Sequence, residues 1–252
     1  MSITSAAELT GMQLISEVVA SVLQRMRSFA TPGMSTKELD EYGGALLLQM
    51  GARSAPKLTY NFPGYTCISV NTEVAHGIPS AQRILHPGDL VNIDVSAEMG
   101  GFYADNGGSF ILGEDIRQLS GLVDASRDIL YKAISQIRDG VRIAHIGRLV
   151  ENTAKEQGFK VIRNLVGHGV GRSLHESPRE IPNFYDRFNM TRFSSNSVVA
   201  IETFISTGAT YADAKGDGWT LITRDGSFVA QHEHTILVTS GEPVILTAAN
   251  GI

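Results

Sequence analysis

Leu9, Met12, Ile15, Val19, Val22 and Met26 recur at steps of three and four, which puts them on one face of a helix. Ser5 and Glu8 have the spacing of a capping box at its start. Pro32 and Gly33 interrupt the pattern, and Ser35 with Glu38 opens a second helix that turns Leu39, Leu46, Leu47 and Met50 inward and stops at Gly51. The same script returns downstream. Ile116, Leu119, Val123, Leu130, Ala133 and Ile137 predict a third helix closed by Asp139 and Gly140. Ile143, Ile146, Leu149, Val150 and Ala154 predict a fourth, closed by Gly158. Gly33 and Gly51 are 18 residues apart, as are Gly140 and Gly158, so the second helix pair repeats the first at an offset of 107.

Each helix pair is followed by β-rich chain. Leu90–Val95 and Gly101–Leu112 read as two strands around Glu98, Met99 and Gly100. Val198–Ile205 and Ser227–Val238 read likewise, with a glycine-rich bend at Gly216, Asp217 and Gly218. Helices followed by hairpins, rather than strict β-α-β alternation, predict an α+β fold with a curved antiparallel sheet. No Pro/Gly/Ser linker divides the chain, so a single catalytic domain over 1–252 is expected, with pseudo-symmetric halves near 1–113 and 114–252.

Acids inside the strands change the picture from fold to chemistry. Leu90-Val91-Asn92-Ile93-Asp94-Val95 is apolar except at Asn92 and Asp94, which share a face. Val198-Val199-Ala200-Ile201-Glu202 is the second such run, and Glu202 follows Asp94 by 108 residues, within one residue of the repeat offset. Charge seldom sits in such a run unless it is paired or bound to metal. Asp94 and Asp105 are equidistant from a turn centred between Met99 and Gly100, so they are expected to face each other across the hairpin. Glu202 and Glu233 are the counterparts in the second hairpin. One proton shared by two carboxylates explains one pair, as in an aspartic protease; four converging carboxylates call for divalent metal. Glu98, Asp115 and Glu242 read as ordinary surface charges.

Composition narrows the setting. The 252 residues carry 21 Lys+Arg against 26 Asp+Glu, a net charge of −5, which argues against a broad nucleic-acid surface. With 42% hydrophobic and 19% charged residues, the chain is an ordinary globular one. The single cysteine, Cys67, excludes an internal disulfide and a thiolate zinc cluster and points to a reducing cytoplasm. No signal peptide is evident, and no apolar run is expected to reach the roughly 18 residues of a membrane span.

Histidines sharpen the site. His168 lies among glycines in Gly167-His168-Gly169-Val170-Gly171, His175 follows in Leu174-His175-Glu176, and His76 sits in Ala75-His76-Gly77-Ile78-Pro79. Gly167-x-Gly169-x-Gly171 lacks the spacing of a dinucleotide or Walker loop. His86 and His145 have no companion residue and read as structural.

The set Asp94, Asp105, His168, Glu202 and Glu233 resembles the five metal ligands of the type I methionine aminopeptidases. The resemblance runs through Asn61–Asn71, Glu73–Pro79, Asn92–Asp94, Gly167–Glu176 and Ala230–Thr235, nearly the whole chain in order. It implies the pita-bread fold, two α+β halves around a dinuclear site holding Mn²⁺, Fe²⁺, Co²⁺ or Zn²⁺. By it Asp94 holds one metal, His168 and Glu202 the other, and Asp105 and Glu233 bridge both. It further implies hydrolytic removal of N-terminal methionine from nascent polypeptides when the second residue is small, by a cytoplasmic monomer that meets its substrates at the ribosome. Glu202 is then general base as well as ligand, His175 stabilises the oxyanion and His76 contacts the scissile amide. Phe62, Cys67, Leu174 and Trp219 fall at the positions of the methionine pocket, with His76 at its edge. Two departures lie beside ligands, Thr203 where the family has proline and Asn106 where it has threonine, and both are expected to alter the surroundings of the metals. The alternatives are an Xaa-Pro aminopeptidase or prolidase, which usually carries an extra N-terminal domain, and a metal-free binding protein on the same scaffold.

Overall fold

The computed structural model describes residues 1–252. Two helices come first, α1 (Ala6–Phe29) and α2 (Thr36–Gln49). Ser35 and Glu38 close a full capping box on α2, whereas Glu8 reaches back to the backbone N–H and hydroxyl of Thr4, so that only the Ser5 half of the expected box on α1 forms. Gly51 follows α2 with φ +77°, the left-handed stop that glycine adopts without strain. Next come β1 (Arg53–Ser54), a six-residue helix α3 (Ala55–Tyr60) absent from the sequence reading, β2 (Cys67–Val70) and β3 (Glu73–Ala75). Strands β4 (Leu90–Met99) and β5 (Phe102–Ile111) form the first hairpin.

The second half begins with α4 (Ser120–Ile134) and α5 (Ile143–Glu156). Ile116 is not part of the helical stripe: it precedes α4 and is 63% exposed. Strands β6 (Lys160–Val161), β7 (Val166–Gly169), β8 (Glu176–Pro182) and β9 (Val198–Ser206) follow. The connection to β12 (Val229–Leu237) carries β10 (Asp213–Ala214) and β11 (Leu221–Ile222), and β13 (Val244–Ile245) pairs with β12.

The main ten-stranded sheet runs β1-β4-β5-β12-β9-β7-β8, with β2 added on β4, β6 on β9 and β13 on β12, and all of its pairings are antiparallel. A separate sheet, β10-β11-β3, sits at its side and brings the loop before β11 to the end of β3. The helices bury their stripes on the main sheet in two clusters. Met12, Ile15, Val22, Met26 and Leu39 pack with Val91, Ile93 and Val95; Leu122, Ile129, Ile146 and Val150 pack with Val199, Ile201 and Ile236. Contrary to expectation, α1 contains an 18-residue window with a mean hydropathy of 1.3, long and apolar enough to cross a membrane. Its apolar stripe is instead buried on β4 and β5, where each fully covered aliphatic side chain contributes about 1.5–3 kcal/mol.

The first hairpin differs from the sequence reading in register. Met99 belongs to β4, and Gly100 and Gly101 form the turn with φ of 61° and 82°, positive at both central positions. Asp94 therefore pairs with Gly107 and Asp105 with Ser96; the two aspartates are diagonal neighbours on one face, not direct partners. Glu98 is also not a surface charge. It is 5% exposed, and its carboxylate takes the Arg53 guanidinium at 2.7 Å and the Gly101 N–H at 2.7 Å, which ties the turn to β1.

Candidate active site

Alternation along the strands assembles the site. Asp94 and Ser96 point from β4 to one face of the sheet, and Asp105 does so from β5. Glu202 and Glu233 are direct cross-strand partners in β9 and β12, as the sequence predicts. His168 pairs with Ala200 and so stands beside Glu202 on the next strand. Gly167 must be glycine, because a Cβ there would lie 2.6 Å from the Ala200 carbonyl oxygen, and the close approach of β7 to β9 would be lost.

These groups form the floor of a cavity of about 290 Å³, and all eleven residues singled out from the sequence line it. Pro56, Tyr60 and Ser96 complete the lining and were not foreseen. Ser96 was accessible by parity with Asp94, whereas Pro56 and Tyr60 lie on α3, which leaves no periodic signal. A larger depression of about 760 Å³ lies between α2 and α3, but Glu41 is its only acid.

Three features of the donor set suit a divalent cation. First, donor atoms of Asp105, His168 and Glu233 all lie within 4.8 Å of one another. Second, Asp94 Oδ1, Asp105 Oδ1 and Glu233 Oε1 are buried and lack any hydrogen-bond partner, which costs folding energy unless something positive meets them. Third, His168 Nδ1 is 3.0 Å from the Gly169 carbonyl oxygen, which fixes the proton on Nδ1 and turns Nε2, 3.7 Å from Asp105 Oδ2, into a free donor pair for a metal. The residues fit.

Electrostatics agree. Burial first, then repulsion from Asp105, drives the carboxyls of Asp94, Glu202 and Glu233 well above the usual range; Asp105 is raised as well, chiefly by burial. A cation reverses that cost. Gln231 supports the cluster by donating from Nε2 to Glu233 Oε2 at 3.0 Å while Asn92 Nδ2 donates to Gln231 Oε1 at 2.7 Å. The Gln231 amide occupies the space over Gly107, where a Cβ would overlap it.

The apolar wall stands beside this floor. Phe62 and Trp219 meet edge to face at 5.2 Å and 88°, and Leu174 and Cys67 are buried next to them. Asp217 holds the Trp219 loop by accepting the backbone N–H groups of Trp219 and Thr220 at 3.0 and 2.8 Å. Burial, then the charge of Asp94, pushes the Cys67 thiol well above its ordinary value, so it lines the wall as a neutral group. His175 lies against His168 with ring centroids 4.0 Å apart and planes tilted by 37°, and burial followed by His168 lowers its pKa to about 4. His76 follows β3 in a left-handed conformation (φ 53°) that aims it at the cavity mouth, where it is exposed.

Neither departure from the family pattern faces the site. Thr203 is fully buried on the opposite face of β9, with its hydroxyl 3.2 Å from both the hydroxyl and carbonyl oxygens of Ser126 in α4. Asn106 likewise points away from the acidic floor, and its Nδ2 donates to Val95 O at 3.1 Å. Both side chains tie the sheet together from behind the floor rather than lining it.

The sequence pattern of metallopeptidase family M24 matches residues 10–240. Methionine aminopeptidase 2 of Bacillus subtilis is 52% identical over 247 residues, covering 98% of this chain and 99% of that one. The crystal structure of a methionine aminopeptidase from Thermotoga maritima superposes with a TM-score of 0.93 at 35% identity, covering 98% and 99% of the two chains. The prolidase of Pyrococcus furiosus shares the fold at a TM-score of 0.79, but at 20% identity, and this chain covers 65% of its length. With the pita-bread arrangement of strands and the acidic floor above, these likenesses lead to one conclusion: the chain belongs to metallopeptidase family M24 and, within it, to the bacterial type I methionine aminopeptidases.

Proposed function

We propose that this chain hydrolyses the peptide bond after an N-terminal methionine when the second residue is small. The observation that carries the proposal is the junction, in one cavity, of a five-residue oxygen-rich donor set and an apolar wall of Phe62, Cys67, Leu174 and Trp219. Asp94, Asp105, His168, Glu202 and Glu233 would hold two divalent ions. Asp105 and Glu233, which share the tight cluster with His168, would be the central carboxylates of that set. Mn²⁺, Fe²⁺ and Co²⁺ suit such a set best, and Zn²⁺ is also accommodated. When bound, the ions supply Lewis acidity toward the scissile carbonyl and acidify the attacking water.

The chain's own residues do the rest. The methionine side chain enters the apolar wall, where its flexible thioether fills an irregular space against two aromatic rings and a thiol. Glu202 takes the proton of the attacking water and delivers it to the leaving amine. His175, neutral at working pH, donates a hydrogen bond to the oxygen on which charge develops. His76 at the mouth binds the scissile amide and leaves little room for the second side chain. Its substrates are the N-termini of nascent polypeptides, which a monomeric enzyme would meet in the cytoplasm at the ribosome. Purified enzyme reconstituted with each metal in turn should release methionine from Met-Ala peptides and leave acetyl-Met-Ala intact; no release with any metal would overturn the proposal.

A further inference from the structure

Tyr60 is the last residue of α3, and its phenol oxygen lies 2.7 Å from His175 Nδ1. The two rings are tilted at 55° with centroids 5.8 Å apart. The short helix is pinned at both ends. Ser54 Oγ accepts the Lys57 N–H at 3.4 Å at the start, and Asn61, left-handed at φ 57°, donates its N–H to Lys57 O at 3.1 Å at the end. Phe62 N–H adds a bond to Pro56 O at 3.2 Å. Tyr60 is thus held in direction although it is 44% exposed.

A neutral imidazole has one donor and one acceptor nitrogen, and the partner of one nitrogen decides which carries the proton. A phenol, with an ordinary pKa of about 10, keeps its proton at neutral pH and has it to donate. The opposite arrangement, Nδ1–H donating to the phenol, would leave a lone pair on Nε2 facing the developing oxyanion and would repel it. We propose that Tyr60 is a positioning residue for the hydrolysis: its hydroxyl donates to His175 Nδ1 and thereby holds the tautomer whose Nε2–H reaches the oxyanion. This rests on the reading of His175 as the oxyanion donor. No proton is transferred between the two side chains; only the direction of one hydrogen bond is fixed.

Tyr60→Phe removes the donor and keeps the ring. In the metal-loaded enzyme kcat for a Met-Ala peptide should fall about tenfold with little change in KM, the scale set by loss of a group that orients an active-site histidine. Nitrogen-15 spectra of the zinc-loaded protein, in which the ion is diamagnetic, should show His175 as a single tautomer with a proton-bearing Nε2, and as a mixture in Tyr60→Phe. Adding Tyr60→Phe to His175→Ala should cost nothing further. Unchanged kcat with unchanged ring-nitrogen signals in Tyr60→Phe would overturn the positioning role while His175→Ala still lost activity. Full activity in His175→Ala would instead overturn the oxyanion reading, and the proposal with it.

Discussion

In β4 and β5 the two aspartates are set one step apart on the ladder, Asp94 opposite Gly107 and Asp105 opposite Ser96, whereas in β9 and β12 the two glutamates are direct partners. Diagonal neighbours are about 7–8 Å apart at Cα, and direct partners about 5 Å. The pairs solve one electrostatic problem differently. The aspartates are short and separated by the ladder. The glutamates are opposed, and their longer side chains reach the shared space. Asp105 lies on β5, beside β12, and joins Glu233 and His168 in the tight cluster at the centre of the site, whereas Asp94 lies outside that cluster. Pseudo-equivalent strands need to agree in the face they present, and their registers are free to differ.

If membership of the tight cluster decides role, Asp105→Asn should be the most damaging change. It should lower kcat/KM by more than about 100-fold, beyond the loss caused by removing an outer partner of a ligand, and by more than Asp94→Asn. A smaller loss in Asp105→Asn than in Asp94→Asn would break the distinction between centre and periphery.

Removing metal probes the same carboxylates through stability. The apoprotein should melt at a higher temperature when Mn²⁺ or Co²⁺ is added, because an ion that binds only the folded state stabilises it by about 2.7 kcal/mol at a hundred times its dissociation constant. Calorimetry that finds no shift at saturating metal would contradict the donor set.

Gly107 offers the finest test, since it lies opposite Asp94 but serves Glu233. A Cβ there overlaps the far end of the flexible Gln231 side chain, so Gly107→Ala should fold with nearly native stability. It should displace the Gln231 amide from Glu233 and weaken metal binding about tenfold, measurable by titration calorimetry. Unchanged affinity would remove Gln231 from the support of the site.

Parity explains how much of this was legible in the sequence. The face on which a strand residue lies depends only on odd or even position, so Asp94, Asp105, Glu202 and Glu233 fell on the site face even though the first hairpin was read two residues out of register. The Gly100-Gly101 pair carried the missing information, because two adjacent glycines favour a two-residue turn with positive φ at both positions. Glu98 looks like a surface charge in the sequence because its partner, Arg53, comes from a two-residue strand that no pattern announces. Tyr60 stayed hidden for a related reason: a six-residue helix is too short to show periodicity, and a half-exposed tyrosine looks like any surface residue until His175 is seen beside it.

The peptide series tests the central claim most directly. With the reconstituted enzyme, kcat/KM should be highest for Met-Ala. It should fall on the order of 100-fold for Met-Phe, whose second side chain misplaces the carbonyl, and it should fall for Leu-Ala, which fills the apolar wall less well. Equal rates for Met-Ala and Leu-Ala, or preferential cleavage of Ala-Pro, would contradict the account.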